Sequence, residues 1–362
     1  MNFPHLESVE RTDTGRHRRN NEDAVLRLLE HGLFCVADGM GGAAAGELAS
    51  QAVVNTLRRG FLELPVEAPA YPGLNTRIRL TSHLLDEASR WIRSRAEEMG
   101  VSGTGTTVVV LLFDAWQPSQ GVCLHAGDSR VYVYRDGHFK LLTRDHSVAA
   151  AAGVSDERSL PAFCRGVVTR AVGLDEHVNL ELTPVEVHPG DLFLLCSDGL
   201  TKMLTDAAIA KLLKKQVGAA NFDGLAQNLV DTANAAGGED NVSVVLVRVA
   251  DTLPPARGGT PEAAVPGMST VILTSETAGA PHHWYATASE LRTPTTARTF
   301  MAGGDLSGHT PTSAPAGDAP PMPVTAQDLG AERNKVAKDA TMSGWHLLLH
   351  AMFGKRPSSP AK

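Results

Sequence analysis

The chain has 362 residues, enough to bury one large core or two smaller ones. An apolar fraction of 43% is that of a globular protein, and a net charge of -7 excludes the basic footprint of a nucleic-acid binder. The N-terminus lacks an apolar signal region and no run of about 20 apolar residues occurs, so a cytoplasmic protein with no transmembrane segment is expected. The cysteines Cys35, Cys123, Cys164 and Cys196 are scattered without zinc spacing, which points to buried free thiols in a reducing compartment.

Residues 5–13 alternate loosely and are expected to form an edge strand. Residues 15–23 are a polar, arginine-rich loop that closes on Glu22 and Asp23. It reads either as a solvated charge cluster or as an arginine, Arg18, held ready for phosphate oxygens. Residues 24–30 and 33–37 suit a hairpin that runs into Asp38-Gly39-Met40-Gly41-Gly42. Residues 46–62 and 74–99 carry apolar side chains at helical spacing and predict two packed amphipathic helices. The glycine-rich run 102–107 leads into a strand without a following helix, so it is a connection and not a phosphate-binding P-loop.

Strands are expected at 122–126, 131–134 and 139–142, with a tight turn at 135–137. A short helix over 145–153 would take Asp145 as its cap, and 155–166 reads as irregular. A strand at 179–187 follows, then a turn at 189–191 that Asp191 would cap. After an apolar strand that ends at Ser197-Asp198-Gly199, helices are expected at 206–216 and 221–236, and the strand 242–249 would close the sheet.

One grammar repeats through this order. Apolar strands end on acids at Asp38, Asp128 and Asp198, and Asp240 immediately precedes another strand. Acids gathered at strand ends repel one another unless cations sit between them, and carboxylates beside backbone carbonyls suit hard ions such as Mg²⁺ or Mn²⁺. Each motif alone is ordinary turn chemistry; the series is not.

Arg18…Glu22-Asp23, Asp38-Gly39, Gly105-Thr106-Thr107, Gly127-Asp128-Ser129-Arg130, Ser197-Asp198-Gly199 and Asp240-Asn241 together resemble the metal-dependent serine/threonine protein phosphatases (PPM, or type 2C) in their bacterial form. The resemblance covers about residues 5–250. It implies an α+β fold, a four-layer αββα sandwich in which two antiparallel sheets pack face to face with helices on both outer faces. It implies two Mn²⁺ or Mg²⁺ ions, with a third in bacterial members. Asp38 would bridge the pair, joined by the Gly39 carbonyl, with Asp198 and Asp240 on the first ion and Asp128 with Asp198 on the third. Glu22 and Asp23 would act on metal-held water, Arg18 would clamp the phosphate, and Asn241 would support the Asp240 turn. The expected reaction is hydrolysis of phosphoserine and phosphothreonine on proteins. A hydroxide held between the ions would attack phosphorus directly, in opposition to bacterial Ser/Thr kinases. Cysteine-nucleophile chemistry of the tyrosine-phosphatase kind is not expected.

Departures from the pattern are local. Met40 stands where animal members carry a histidine general acid. The flap between Asp145 and Gly173 keeps Asp145-His146-Ser147 and Arg170, but its middle is short. Three segments are expected: a catalytic domain over residues 1–250, a Pro/Thr/Ala-rich linker of disordered composition over 251–325, and a terminal segment over 326–362. In the last, Trp345, Leu348, Leu349, Met352 and Phe353 fall on one helical face that would pack on the domain, a docking partner or a membrane surface. A turnover-free scaffold of the same fold, and a phosphatase for a small metabolite, are the competing functions. The scaffold reading would show the loss of a metal acid, and Asp38, Asp198 and Asp240 are all present.

Overall fold

The structure is a computed structural model that describes residues 3–65, 70–154, 159–216 and 222–257. Of the linker expected over 251–325, residues 251–257 are described, with Leu253 packed on the core and the Arg257 N–H donating to the Trp116 carbonyl at 2.9 Å; the remainder, and the expected helix around Trp345, lie outside the described residues.

The strands are β1 (Leu6–Asp13), β2 (Asp23–Leu28), β3 (Leu33–Met40), β4 (Gly105–Thr106), β5 (Val108–Phe113), β6 (Gln120–Ala126), β7 (Arg130–Arg135), β8 (His138–Leu141), β9 (Glu181–Glu186), β10 (Leu192–Cys196) and β11 (Val242–Val249). The helices are α1 (Ala43–Leu62), α2 (Leu74–Glu98), α3 (Val148–Ala151), α4 (Asp198–Met203), α5 (Asp206–Gln216) and α6 (Phe222–Ala235). One sheet runs β1-β11-β10-β7-β8 and the other β2-β3-β5-β6-β9, with β4 paired to β3. All the ladder pairings are antiparallel. β1 is the edge strand that its loose alternation predicted. β11 does not close its sheet, as the sequence suggested, but lies inside it between β1 and β10.

Alternation along the strands builds the layers. In β3, Leu33, Cys35 and Ala37 face α1 and α2, where they meet Val53, Leu57, Leu85 and Ile92. Their neighbours Phe34 and Val36 turn the other way, toward Phe193, Leu195, Val245 and Val247 of the facing sheet. In β11, Val244 and Leu246 face Leu200, Ile209, Leu225 and Leu229 of α4, α5 and α6. The central strands are therefore buried on both sides and read as continuous apolar runs; every residue of β5 is buried. Between the sheets, Phe34, Phe113 and Phe193 make edge-on contacts with ring centres 5.9 and 5.5 Å apart. All four cysteines are free and buried, as their settings suggested.

One local expectation is overturned and another is exceeded. The short helix α3 is capped by Ser147, whose side chain accepts from the Ala150 N–H, and not by Asp145. Asp145 instead receives a bidentate guanidinium from Arg130, at 2.8 and 2.6 Å. Asp191 does more than cap a turn: it is fully buried and holds Arg135 through both carboxylate oxygens, at 2.6 and 2.7 Å. The guanidinium fork supplies geometry that a backbone turn does not.

Candidate active site

The acids collect at one end of the sandwich because of strand register. β2 and β3 pair Asp23 opposite Asp38. Asp198 opens α4 directly after β10, and Asp240 and Asn241 lead into β11, so the facing sheet brings its acids to the same end. Ser197 Oγ joins the two sheets by donating to Asp23 Oδ2 at 2.7 Å, and it accepts from the Ser243 N–H at 3.0 Å.

Close backbone approach demands glycine here. A Cβ at Gly39 would lie 2.1 Å from the Gly46 carbonyl oxygen, and one at Gly199 would lie 1.9 Å from that of Asn241. The Gly39 N–H donates to the Glu22 carbonyl at 3.0 Å, which locks the acidic loop onto β3. Asn241 stitches that loop to the β11 entry. Its Oδ1 accepts from the Glu22 N–H at 2.8 Å, and its Nδ2 donates to the Thr14 and Asn20 carbonyls at 2.9 Å each.

Electrostatics show what the cluster lacks. Burial pushes Asp38 well above the ordinary carboxylate range, and Asp23, Asp198 and Asp128 push it further. Burial, then Asp198, raises Asp128 to about 8. Burial raises Asp23 to about 7, against hydrogen bonds from Ser243 and Ser197. Glu22 is raised by burial, with Arg18 opposing. Asp198 Oδ1 is buried without a hydrogen-bond partner. An all-oxygen donor set, mutually repelling and incompletely satisfied, fits hard divalent cations such as Mn²⁺ or Mg²⁺.

Arg18 reaches this cluster: Nη2 lies 2.8 Å from Asp240 Oδ1, and Nη1 lies 3.9 Å from Glu22 Oε1. Sequence reasoning missed Lys202, whose Nζ sits 2.6 Å from Asp198 Oδ2 and 3.0 Å from Asp240 Oδ2. Its signal was there to read, since a lysine four residues after Asp198 shares its helical face. Burial opposes the Lys202 charge, but Asp198 and Asp240 outweigh it and hold the ammonium above its usual range.

The flap residues form a second network. The Gly127 N–H donates to His146 Nδ1 at 3.3 Å, and the His146 N–H donates back to the Gly127 carbonyl at 2.9 Å. His146 Nε2 therefore carries the hydrogen and donates to Glu181 Oε2 at 3.0 Å, with Arg170 Nη1 3.2 Å from the same nitrogen. His125, also missed, stacks on His146 with ring centres 4.5 Å apart and planes 5° apart. This clamp holds the Gly127-Asp128 turn. His125, His146 and Glu181 offer ligand atoms within 4.8 Å of one another, a tighter set than the acids make among the described residues. The Arg170 cation beside them disfavours an ion there.

Cys164 and Arg170 stand at Cys-x₅-Arg spacing, which the sequence reading overlooked. The thiol nevertheless packs with Val148, Ala149 and Leu160, and burial raises its pKa. That is the reverse of the shift a nucleophilic cysteine needs.

With this geometry in view, the likenesses are informative. The family model described as protein phosphatase 2C matches residues 15–233. Serine/threonine phosphatase stp of Listeria monocytogenes serovar 1/2a is 34% identical over 245 residues, which are 66% of this chain and 93% of the relative. Among solved structures, PppA, a key regulatory component of T6SS in Pseudomonas aeruginosa, is 35% identical with a TM-score of 0.58 and covers 68% of this chain and 98% of its own. The catalytic domain of the serine threonine protein phosphatase PstP, in complex with 2 manganese ions, is 33% identical with a TM-score of 0.56, covering 68% of this chain and 99% of its own. The chain belongs to the protein phosphatase 2C family and is a metal-dependent protein serine/threonine phosphatase, a phosphomonoester hydrolase.

Proposed function

We propose that this chain removes phosphate from phosphoserine and phosphothreonine on proteins with a two-ion Mn²⁺ or Mg²⁺ centre, and that it opposes a Ser/Thr kinase. The observation that carries the reading is the set of four acids, Asp38, Asp128, Asp198 and Asp240, brought from both sheets to one end, with Asp38 and Asp128 held above their ordinary pKa by burial and by the neighbouring acids.

Asp38 and the Gly39 carbonyl would hold the ion pair, with Asp198 and Asp240 on one ion and Asp128 available to a third. Bound cations of this kind supply an activated water as nucleophile and offset charge on the phosphoryl oxygens. Asp23 and Glu22, both buried, would hold or pass a proton for that water. Arg18 offers the fork that a phosphate dianion needs, and it would exchange Asp240 Oδ1 for the phosphate oxygens. Asn241 keeps the Arg18 loop and the Asp240 turn in one rigid piece. His146 positions Asp128 through Gly127.

The test is Mn²⁺-dependent hydrolysis of a phosphothreonine peptide, wild type against Asp38→Ala. Turnover that needs Mn²⁺ and is lost in the variant is expected. A wild type that binds Mn²⁺ without turnover would move the chain to the scaffold reading.

A further inference from the structure

Lys202 has no part in the reaction described above, yet it occupies the middle of the acidic cluster. α4 starts at Asp198, so the helix carries its fifth residue back over the first. The ammonium takes Asp198 Oδ2 at 2.6 Å and Asp240 Oδ2 at 3.0 Å. The other oxygen of Asp240 is held by Arg18 at 2.8 Å. Both oxygens of Asp240 thus face a side-chain cation, while Asp198 keeps one buried oxygen without a partner. The Lys202 side chain is 43% exposed, so its stem has a path to solvent.

We propose that Lys202 is a tethered cation that competes with a divalent ion for the Asp198 and Asp240 carboxylates, and so sets the metal affinity of this chain. The inference rests on the metal-phosphatase reading of the site. An ammonium and a divalent ion draw on the same carboxylate oxygens and repel each other at this range. Metal entry therefore requires the lysine to swing outward on its flexible four-carbon stem. In the metal-free protein the lysine does the reverse service: it neutralises two carboxylates that would otherwise repel across the junction of α4 and β11. The chain thereby trades metal affinity for an intact site when metal is scarce.

Calorimetric titration with Mn²⁺ tests this directly on the full chain, comparing wild type, Lys202→Met, Lys202→Gln and Lys202→Arg. Both uncharged variants are expected to bind Mn²⁺ about tenfold more tightly or better, because a repelling charge has gone. Lys202→Arg keeps the charge and should stay near wild type. Thermal melts in chelator provide the second readout, in which the uncharged variants should melt below wild type. Unchanged or weaker Mn²⁺ binding in Lys202→Met and Lys202→Gln would overturn the proposal, and weaker binding would make Lys202 a support for the ion. A wild type that binds no Mn²⁺ would remove the metal reading itself, a result distinct from either.

Discussion

Gly199 shows how little room the acidic turns leave. It follows Asp198, one acid of the proposed metal site, and its Cα faces the Asn241 carbonyl so closely that a methyl group would sit 1.9 Å from that oxygen. Gly199→Ala must push the Asp198 and Asp240 turns apart. Displacements of about 1 Å at a reacting centre cost roughly 100-fold in rate, so kcat/KM on a phosphothreonine peptide should fall by about that factor while the fold persists. A variant with wild-type kcat/KM would show that the two turns move independently. At this scale the acids themselves were legible, because strand-end carboxylates stand out against apolar runs. Lys202, one helical turn beyond Asp198, was missed although its spacing was there to read. His125 and the true partners of Asp145 and Asp191 were not legible, because each takes its position from a residue further along the chain or across a sheet: Arg130 for Asp145, Arg135 for Asp191, His146 for His125.

The elements were mostly legible, since period-3.6 and period-2 patterns fix α1, α2 and the long strands. α4 was not expected from the sequence, where 192–199 reads as a strand ending in Asp-Gly and a helix of only 6 residues leaves no periodic signal. Its conformation comes from Leu200, which is fully buried against the layer of α5 and α6. The pair Arg135–Asp191 tests a different element, the join of β7 to β10 at the end remote from the acids. Residues 130 and 196 pair at the active end of these strands, and 134 and 192 near the other. Arg135→Met would leave the buried Asp191 carboxylate without its guanidinium, and denaturant unfolding should show a loss of about 3 kcal/mol. Turnover per folded molecule should not change. A drop in kcat at full folding would mean that strain in β7 reaches Asp128.

The four-layer arrangement entered the sequence reading through resemblance alone. Periodicity does not reveal which strands pair, and the β1–β11 ladder joins residues more than two hundred positions apart in the chain. For the molecule as a whole, the raised carboxyls make a pH prediction with a definite sign. Folded Asp128 titrates at about 8 and Asp23 at about 7, whereas the unfolded chain releases these protons near the ordinary carboxyl value of about 4. The folded state therefore binds more protons at these two groups, so their contribution to metal-free stability falls as pH rises across that window. Below about pH 7 the buried histidines His5, His31, His125 and His146, whose pKa values burial lowers, oppose that slope. Urea unfolding in chelator from about pH 7 to 8 should show a declining midpoint. Saturating Mn²⁺ should reverse the slope, because ions require the ionised acids. A midpoint that climbs in chelator would contradict the assignment of these pKa values.

The placement of β11 between β1 and β10 also sets a timetable for biosynthesis. The sheet of β2, β3, β5, β6 and β9 needs nothing beyond Glu186, so it can assemble while the chain is still being made. The other sheet has a gap beside β10 and no partner for β1 until residues 242–249 leave the ribosome. Asp240 arrives with the same segment. Every shorter nascent chain lacks both the last strand and Asp240, so with the proposed site the enzyme would become competent only as its sandwich is completed, and a ribosome stalled before residue 240 would carry no premature phosphatase.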